Sequence, residues 1–274
     1  MTDDSAGPRS ALDAWDDLAE RLASRRPAVF LDFDGTLSPI VERPEDAAIL
    51  PAARRAVERL AEVAPVVVVS GRDRADVAER VGLDLVYAGS HGFDIAGPGV
   101  RHEVGGEIPA LIERVSGELA AELARVPGAQ VEPKRYTVAV HYRRVAEEDR
   151  GSVEVAIRRA LEAQPELERA EGKRVAELRP RIEWDKGRAL LHLLDALGLD
   201  GPDVVPVYVG DDVTDEDAFR ALADRPGGGI GVRVADEPAE TAAGWTLAGP
   251  DEVPELLDRL RAAAAAWGLT APSP

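Results

Sequence analysis

The stretch Ala28-Val29-Phe30-Leu31-Asp32-Phe33-Asp34-Gly35-Thr36 (AVFLDFDGT) decides how the rest of the chain is read. Its nearly continuous apolar start suits a short strand buried on both faces of a parallel sheet. Two carboxylates, Asp32 and Asp34, follow where that strand ends. In open parallel sheets, ligands bind beyond the C-terminal ends of the strands. Carboxylates at this spacing can share a hard cation, or one can attack an electrophile while the other handles a proton. Gly35 lets the backbone turn sharply and approach a phosphate, and Thr36 completes that turn.

Reading outward, the same rhythm recurs. A helix with the apolar stripe Leu12, Trp15, Leu18 and Leu22, capped by Ser10 with Asp13, precedes the strand. Pro51 opens a helix running to Val63, Val66–Val69 is a second buried strand, residues 73–81 a helix, and residues 85–88 a third strand. Pro98, Gly99, Gly105 and Gly106 then break the pattern. A helix over 108–125, alternating strands over 129–134 and 136–143, a helix over 152–163 and a strand over 174–178 read as a smaller α+β domain. The α/β rhythm returns at Asp185, which caps a helix stopped by Gly198. A strand over 204–209, a helix over 216–223, a strand over 230–234 and a helix over 252–265 complete it, with 268–274 expected to fray. The predicted fold is therefore α/β: a Rossmann-like parallel-sheet core, residues 1–104 and 181–274, with an α+β cap domain inserted over 105–180.

Three further segments sit at predicted strand ends or helix starts. Ser70-Gly71-Arg72 follows the strand VVVV, where a hydroxyl and the Gly71 N–H can donate to phosphoryl oxygens. Lys186 lies in the first turn of its helix, where a cation opposes the dipole, so a structural motive is poor. Gly210-Asp211-Asp212-Val213-Thr214-Asp215-Glu216 gathers acids that repel one another unless a cation or donors sit among them. A parallel sheet brings all four segments to one edge.

Composition narrows the partners. The net charge of -18 and pI near 4.7 disfavour nucleic acid and anionic membrane. The same charge repels a phosphorylated substrate, so a phosphate site must gather cations locally. No cysteine is present, and the four histidines lack ligand spacing, which disfavours zinc. The N-terminus carries no signal-peptide pattern, and no apolar run approaches the ~20 residues of a membrane span. A cytoplasmic, monomeric protein acting on a small molecule is expected. Only three of the 33 basic residues are lysines, Lys134, Lys173 and Lys186. A compact ammonium that persists among so many arginines hints at a task a guanidinium cannot perform.

In this order, the four segments resemble the haloacid-dehalogenase superfamily of phosphohydrolases. That resemblance implies Asp32 as nucleophile, Asp34 as general acid and then base, Ser70 as the phosphate-binding hydroxyl and Lys186 as the phosphate-site lysine. It implies Mg2+ held by the Asp32 carboxylate, the Asp34 carbonyl and Asp211, with Asp212 and Asp215 in support. The stretches LDFDGTLSPI, SGR, AGSHG, HYR, ELRP, WDKG and GDDVTDE resemble trehalose-6-phosphate phosphatases over about residues 28–262. The implied reaction is Mg2+-dependent hydrolysis through an aspartyl-phosphate. Gly35, Thr36, Gly71 and Arg72 are then expected at the phosphate.

The inserted domain offers a polar set for the sugar. Side chains alternate along a strand, so Glu132 shares a face with Lys134, His141 with Arg143, and Glu177 with Arg179, while Val138 and Val140 point into the cap's core. These six, with His91 and Asp94, are the candidate sugar contacts; a charge-paired, solvated sheet face is the alternative. His102 and His192 read as structural. Two other functions stay open: a phosphatase of another sugar phosphate (sucrose phosphate, a glycosyl-phosphoglycerate or a hexose phosphate), and a non-catalytic trehalose 6-phosphate sensor.

Overall fold

The structure, a computed structural model, describes residues 7–22, 25–172, 174–237 and 239–270. It separates into two compact units, residues 1–102 with 184–274 and residues 103–183. The sequence reading placed the insertion at 105–180. Lys173, the extreme N-terminus and residues 271–274 lie outside the described residues.

In the larger unit the elements run β1 (Arg9–Ser10), α1 (Trp15–Leu22), β2 (Arg26–Leu31), α2 (Pro51–Ala61), β3 (Val66–Val69), α3 (Arg74–Val81), β4 (Val86–Gly89), β5 (Asp94–Gly97) and β6 (Val100–Glu103). After the insertion come α6 (Lys186–Ala196), β11 (Val204–Gly210), α7 (Glu216–Asp224), β12 (Ile230–Val234), β13 (Trp245–Leu247) and α8 (Val253–Thr270). The inserted unit carries α4 (Ile108–Leu123), β7 (Gln130–Pro133), β8 (Val138–His141), α5 (Arg150–Ala163), β9 (Leu167–Gly172) and β10 (Val175–Pro180).

The main sheet has the order β1-β13-β12-β11-β2-β3-β4-β5-β6. Every pair from β1 to β4 in that order is parallel, and β4–β5 is antiparallel. From central β2 the chain moves outward to β3 and β4, then returns on the other side through β11. That reversal of direction makes the crevice beyond the carboxyl ends of β2, β3 and β11, where ligands bind in such sheets.

The apolar runs are continuous because the sheet is covered on both faces. Val29, Leu31, Val66, Val68, Val205 and Val207 pack with α2 and α8, whereas Ala28, Phe30, Val67, Val69 and Tyr208 pack with α6 and α7. At about 25 cal/mol per Å2 of apolar surface, each fully buried Val or Leu contributes about 1.5–3 kcal/mol against chain entropy.

Several elements depart from expectation. The break near residues 97–106 holds β6, because Pro98 and Gly99 (φ +76°) form a turn that joins it to β5 just before the break. Strand β1 at the sheet edge and its neighbour β13 are two and three residues long, too short for a periodic signal. The last helix continues to Thr270, beyond the expected end at 265 and through the Gly268 where fraying was expected. Its alanine run has the highest intrinsic helix propensity.

The inserted unit is a four-stranded antiparallel sheet, order β7-β8-β10-β9, with α4 and α5 packed on it. Val138, Val140, Ala176 and Leu178 are buried with Ile112, Val115, Leu119, Val153 and Ile157 from the helices. Strand β9 (LERAEG) was not anticipated, since its polar composition carries no strand pattern.

Candidate active site

Each site segment sits where a strand hands the chain to the crevice. The Asp32 N–H donates to the Val209 carbonyl at 2.9 Å, tying the end of β2 to β11. Beyond it, Gly35 adopts φ +78°, and its N–H donates to the Ser38 carbonyl at 2.7 Å. A Cβ on Gly35 would stand 2.0 Å from Asp211 Oδ2, so only glycine lets the two loops meet here.

At the centre is a buried charge cluster. Lys186 Nζ donates to Asp32 Oδ1 and to Asp215 Oδ1, both at 2.7 Å, and all three side chains are almost fully buried. Burial explains the position of Lys186 at the start of α6: two carboxylates outweigh the unfavourable dipole. Asp215 also accepts from Tyr208 Oη at 2.7 Å and from the backbone N–H groups of Asp211 and Asp212 at 3.1 and 3.0 Å. With four donors its carboxylate is saturated, and it shapes the loop that carries Asp211. Asp212 caps the next turn by accepting from the Val213 N–H at 2.7 Å.

Asp211 behaves differently. One oxygen from each of Asp32, Asp211 and Asp215 can be chosen so that all lie within 4.8 Å of one another, and buried Asp211 Oδ1 has no hydrogen-bond partner. Buried Thr36 Oγ1 likewise has none. Three carboxylates against one ammonium leave about two negative charges uncompensated, a match for one divalent oxygen-seeking cation.

The electrostatics follow. Burial, reinforced by the Asp215 and Asp211 charges, holds Asp32 well above the usual carboxylate range despite the opposing Lys186 ammonium. Burial and the Asp215 and Asp212 charges push Asp211 up to about 7. For Lys186, burial acts downward, but Asp32 and Asp215 outweigh it and the net direction is up. The shifts of Asp32 and Lys186 pull the pair in opposite senses. The ion pair is formed, with both contacts at 2.7 Å, and the upward pressure on Asp32 comes chiefly from its burial, with the neighbouring carboxylates adding to it.

Arg72 does not stand open to the crevice. Its Nε and Nη2 donate to Asp34 Oδ2 and Oδ1, each at 2.7 Å. Ser70 is buried, and its Oγ accepts from the Arg72 N–H at 3.1 Å. A Cβ on Gly71 would lie 2.8 Å from His91 Cε1, so the imidazole covers that glycine. Ser90 and His91 both hold left-handed backbone (φ +51° and +57°), a conformation sparsely populated by residues other than glycine. The loops after β3 and β4 are thereby joined: the His91 N–H donates to the Ser70 carbonyl at 2.9 Å. Asp94 is buried and paired with Arg74 at 3.0 Å. His102 and His192 stack at 4.0 Å between centroids, beside Trp184, away from the charge cluster's contacts.

Within the inserted unit, Glu132 and Glu177 flank Ala139 on the sheet face opposite the helices. His141 Nε2 and Glu132 Oε2 are 2.7 Å apart, Lys134 Nζ donates to Glu177 Oε1 at 3.3 Å, and Thr137 Oγ1 donates to the same oxygen at 2.7 Å. Arg179 pairs with Glu168 rather than with Glu177. Glu132, Lys134, His141, Glu177 and Arg179 thus form one polar face, with Arg143 beyond the end of β8. Thr137 and Tyr208 were not anticipated. Tyr208 is masked by an otherwise apolar strand, where an aromatic hydroxyl was the only cue.

Among the described residues, no helix is long and apolar enough to cross a membrane. The family profile described as trehalose-phosphatase matches residues 30–251. A trehalose 6-phosphate phosphatase of Zea mays is 43% identical over 92% of this chain and 74% of its own length. A trehalose-phosphate phosphatase of Mycobacterium bovis is 47% identical over 89% of this chain and 63% of its own. The solved trehalose-6-phosphate phosphatase of Aspergillus fumigatus superposes with a TM-score of 0.69 at 29% identity, covering 94% of this chain and 99% of that one. With a profile match over residues 30–251 and relatives above 40% identity, this chain is a phosphatase and belongs to the trehalose-phosphatase family.

Proposed function

We propose that the chain hydrolyses trehalose 6-phosphate to trehalose and phosphate through an aspartyl-phosphate on Asp32, with one Mg2+ bound. The observation that carries this reading is the buried Lys186–Asp32–Asp215 cluster beside an Asp211 oxygen with no partner. The Asp32 and Asp211 carboxylates, with the Asp34 carbonyl, would hold the cation; Asp215 and Asp212 support that loop through the bonds they accept. When bound, the cation keeps Asp32 ionised and offsets its repulsion from the phosphate dianion.

The chain's own groups do the rest. Lys186 fixes Asp32 through Oδ1, which leaves Oδ2 to attack phosphorus. As the Asp32–phosphorus bond forms and the phosphorus–sugar oxygen bond breaks, Asp34 gives its proton to the departing oxygen. Water then attacks phosphorus, passes its proton to Asp34 and frees Asp32. The Ser70 hydroxyl, Lys186 and the N–H groups of the turns at Gly35, Thr36 and Gly71 would hold the equatorial oxygens. Glu132, Lys134, His141, Arg143, Glu177 and Arg179 would meet the sugar hydroxyls, with His91 at the crevice side. The acidic surface, which repels nucleic acid, supports a small-molecule substrate.

The test is phosphate release from trehalose 6-phosphate beside sucrose 6-phosphate, glucose 6-phosphate and a glycosyl-phosphoglycerate, with Mg2+ and with chelator, and with Asp32→Asn as blank. Selective, Mg2+-dependent release lost in the variant is expected. A preference for another phosphate overturns the substrate reading, and binding without release favours the sensor.

A further inference from the structure

We infer that Arg72 is the positioning residue of Asp34, not a phosphate ligand. The inference rests on the proposed role of Asp34 as proton donor and acceptor. Four of the five guanidinium N–H donors are already engaged. Nε and Nη2 form a fork on the two Asp34 oxygens, Nη2 also donates to the Pro44 carbonyl at 2.9 Å, and Nη1 donates to Asp76 Oδ2 at 3.2 Å. The guanidinium stands over the Phe33 ring, 5.6 Å from its centroid, and its side chain is only 14% exposed. Asp76 is itself fixed by Arg80 Nε at 2.8 Å, and Arg80 donates to the carbonyls of Glu45 and Ala47. This chain of contacts runs from α3 through the loop after β2 to Asp34. It leaves Arg72 little capacity to bind a phosphate and fixes the plane of the Asp34 carboxylate, which Lys could not do.

A carboxylate held by both arms of the fork has no proton to give. Asp34 therefore acts with one arm open. The protonated oxygen releases its bond to Arg72 while the other keeps its own. The proton passes to the sugar oxygen as the phosphorus–oxygen bond breaks and the Asp32–phosphorus bond forms. Both oxygens then return to the fork, and water attack reverses the proton's path.

The leaving group separates this role from phosphate binding. A sugar alkoxide needs a positioned acid, whereas p-nitrophenolate departs largely unaided. Phosphate release from trehalose 6-phosphate and from p-nitrophenyl phosphate is compared for wild type, Arg72→Ala, Arg72→Lys and Asp34→Asn. We expect kcat/KM on trehalose 6-phosphate, which reads the steps through departure of the leaving group and not the later hydrolysis of the aspartyl-phosphate, to fall about tenfold to a hundredfold in both Arg72 variants, with KM little changed. The kcat/KM loss on the aryl ester should be at least about tenfold smaller, and Asp34→Asn should show the same selectivity more strongly. Should the Arg72 variants fail to fold, Asp76→Asn, which removes one anchor of the guanidinium, must show a weaker loss of the same selectivity. Equal kcat/KM losses on both substrates with a raised KM, while Asp34→Asn stays selective, overturn the inference alone. No selectivity in the kcat/KM of Asp34→Asn overturns the reading of Asp34 as the acid and the inference with it.

Discussion

Replacing Lys186 by Met keeps the length of the side chain and removes its charge. The ammonium lies 2.7 Å from both Asp32 and Asp215, and the three side chains are 2%, 6% and 0% exposed. Removing one partner from a buried ion pair costs about 3–5 kcal/mol, because the remaining charge stays desolvated. Here two carboxylates remain, with Asp211 beside them. Asp32 is already held above the usual carboxylate range, chiefly by burial, and loses the one charge that opposes this. The variant should therefore take up a proton at the cluster, so its destabilisation should be smaller at pH 5 than at pH 8. Urea unfolding of the chelator-treated protein at both pH values measures this directly. Phosphate release should fall by about a hundredfold to a thousandfold, the usual effect of losing one preorganised donor at a charged site. A stability loss under about 1 kcal/mol, or one equal at the two pH values, would refute the electrostatic reasoning.

Three other outcomes follow from the same geometry. Gly35→Ala places a Cβ against Asp211 Oδ2 at a φ of +78°, so Mg2+ affinity measured by calorimetry should fall by about tenfold or more, with activity falling alongside. Asp211, pushed up to about 7 by burial and its acidic neighbours, binds its proton more tightly in the folded state. Its contribution is present below about pH 4 and is lost as pH rises toward 7, so stability of the metal-free protein should decline across that window. Asp211→Asn should flatten the decline in a fluorimetric melting series, and Mg2+ should restore wild-type stability above pH 7. Glu132→Ala, on an exposed sheet face, should raise KM for trehalose 6-phosphate about tenfold with kcat and melting temperature nearly unchanged; equal activity would remove Glu132 from the sugar site.

The parts legible in the sequence were those with a local physical signature. AVFL and VVVV read as strands because both faces are covered, and the acids at their ends read as a site because ligands gather there. Lys186 stood out by opposing its helix dipole, and its two carboxylate partners resolve that conflict. Illegible were features that depend on partners far along the chain. Arg72 lies 38 residues from Asp34, and nothing local indicates that its fork closes on that carboxylate rather than on a phosphate. Asp215 looked like one acid among several, yet its four donors come from α6, β11 and its own loop. Short strands such as Trp245–Leu247 carry too few alternating positions to register, and the polar β9 carries no strand pattern.

The most direct test of the mechanism is a rapid acid quench of one turnover of trehalose 6-phosphate with Mg2+, followed by peptide mass spectrometry. A phosphoryl group on the peptide containing Asp32, labile to hydroxylamine and absent in Asp32→Asn, is the predicted result. Full phosphate release within the turnover by an enzyme that never carries phosphate on Asp32, or that keeps its rate in Asp32→Asn, would contradict it.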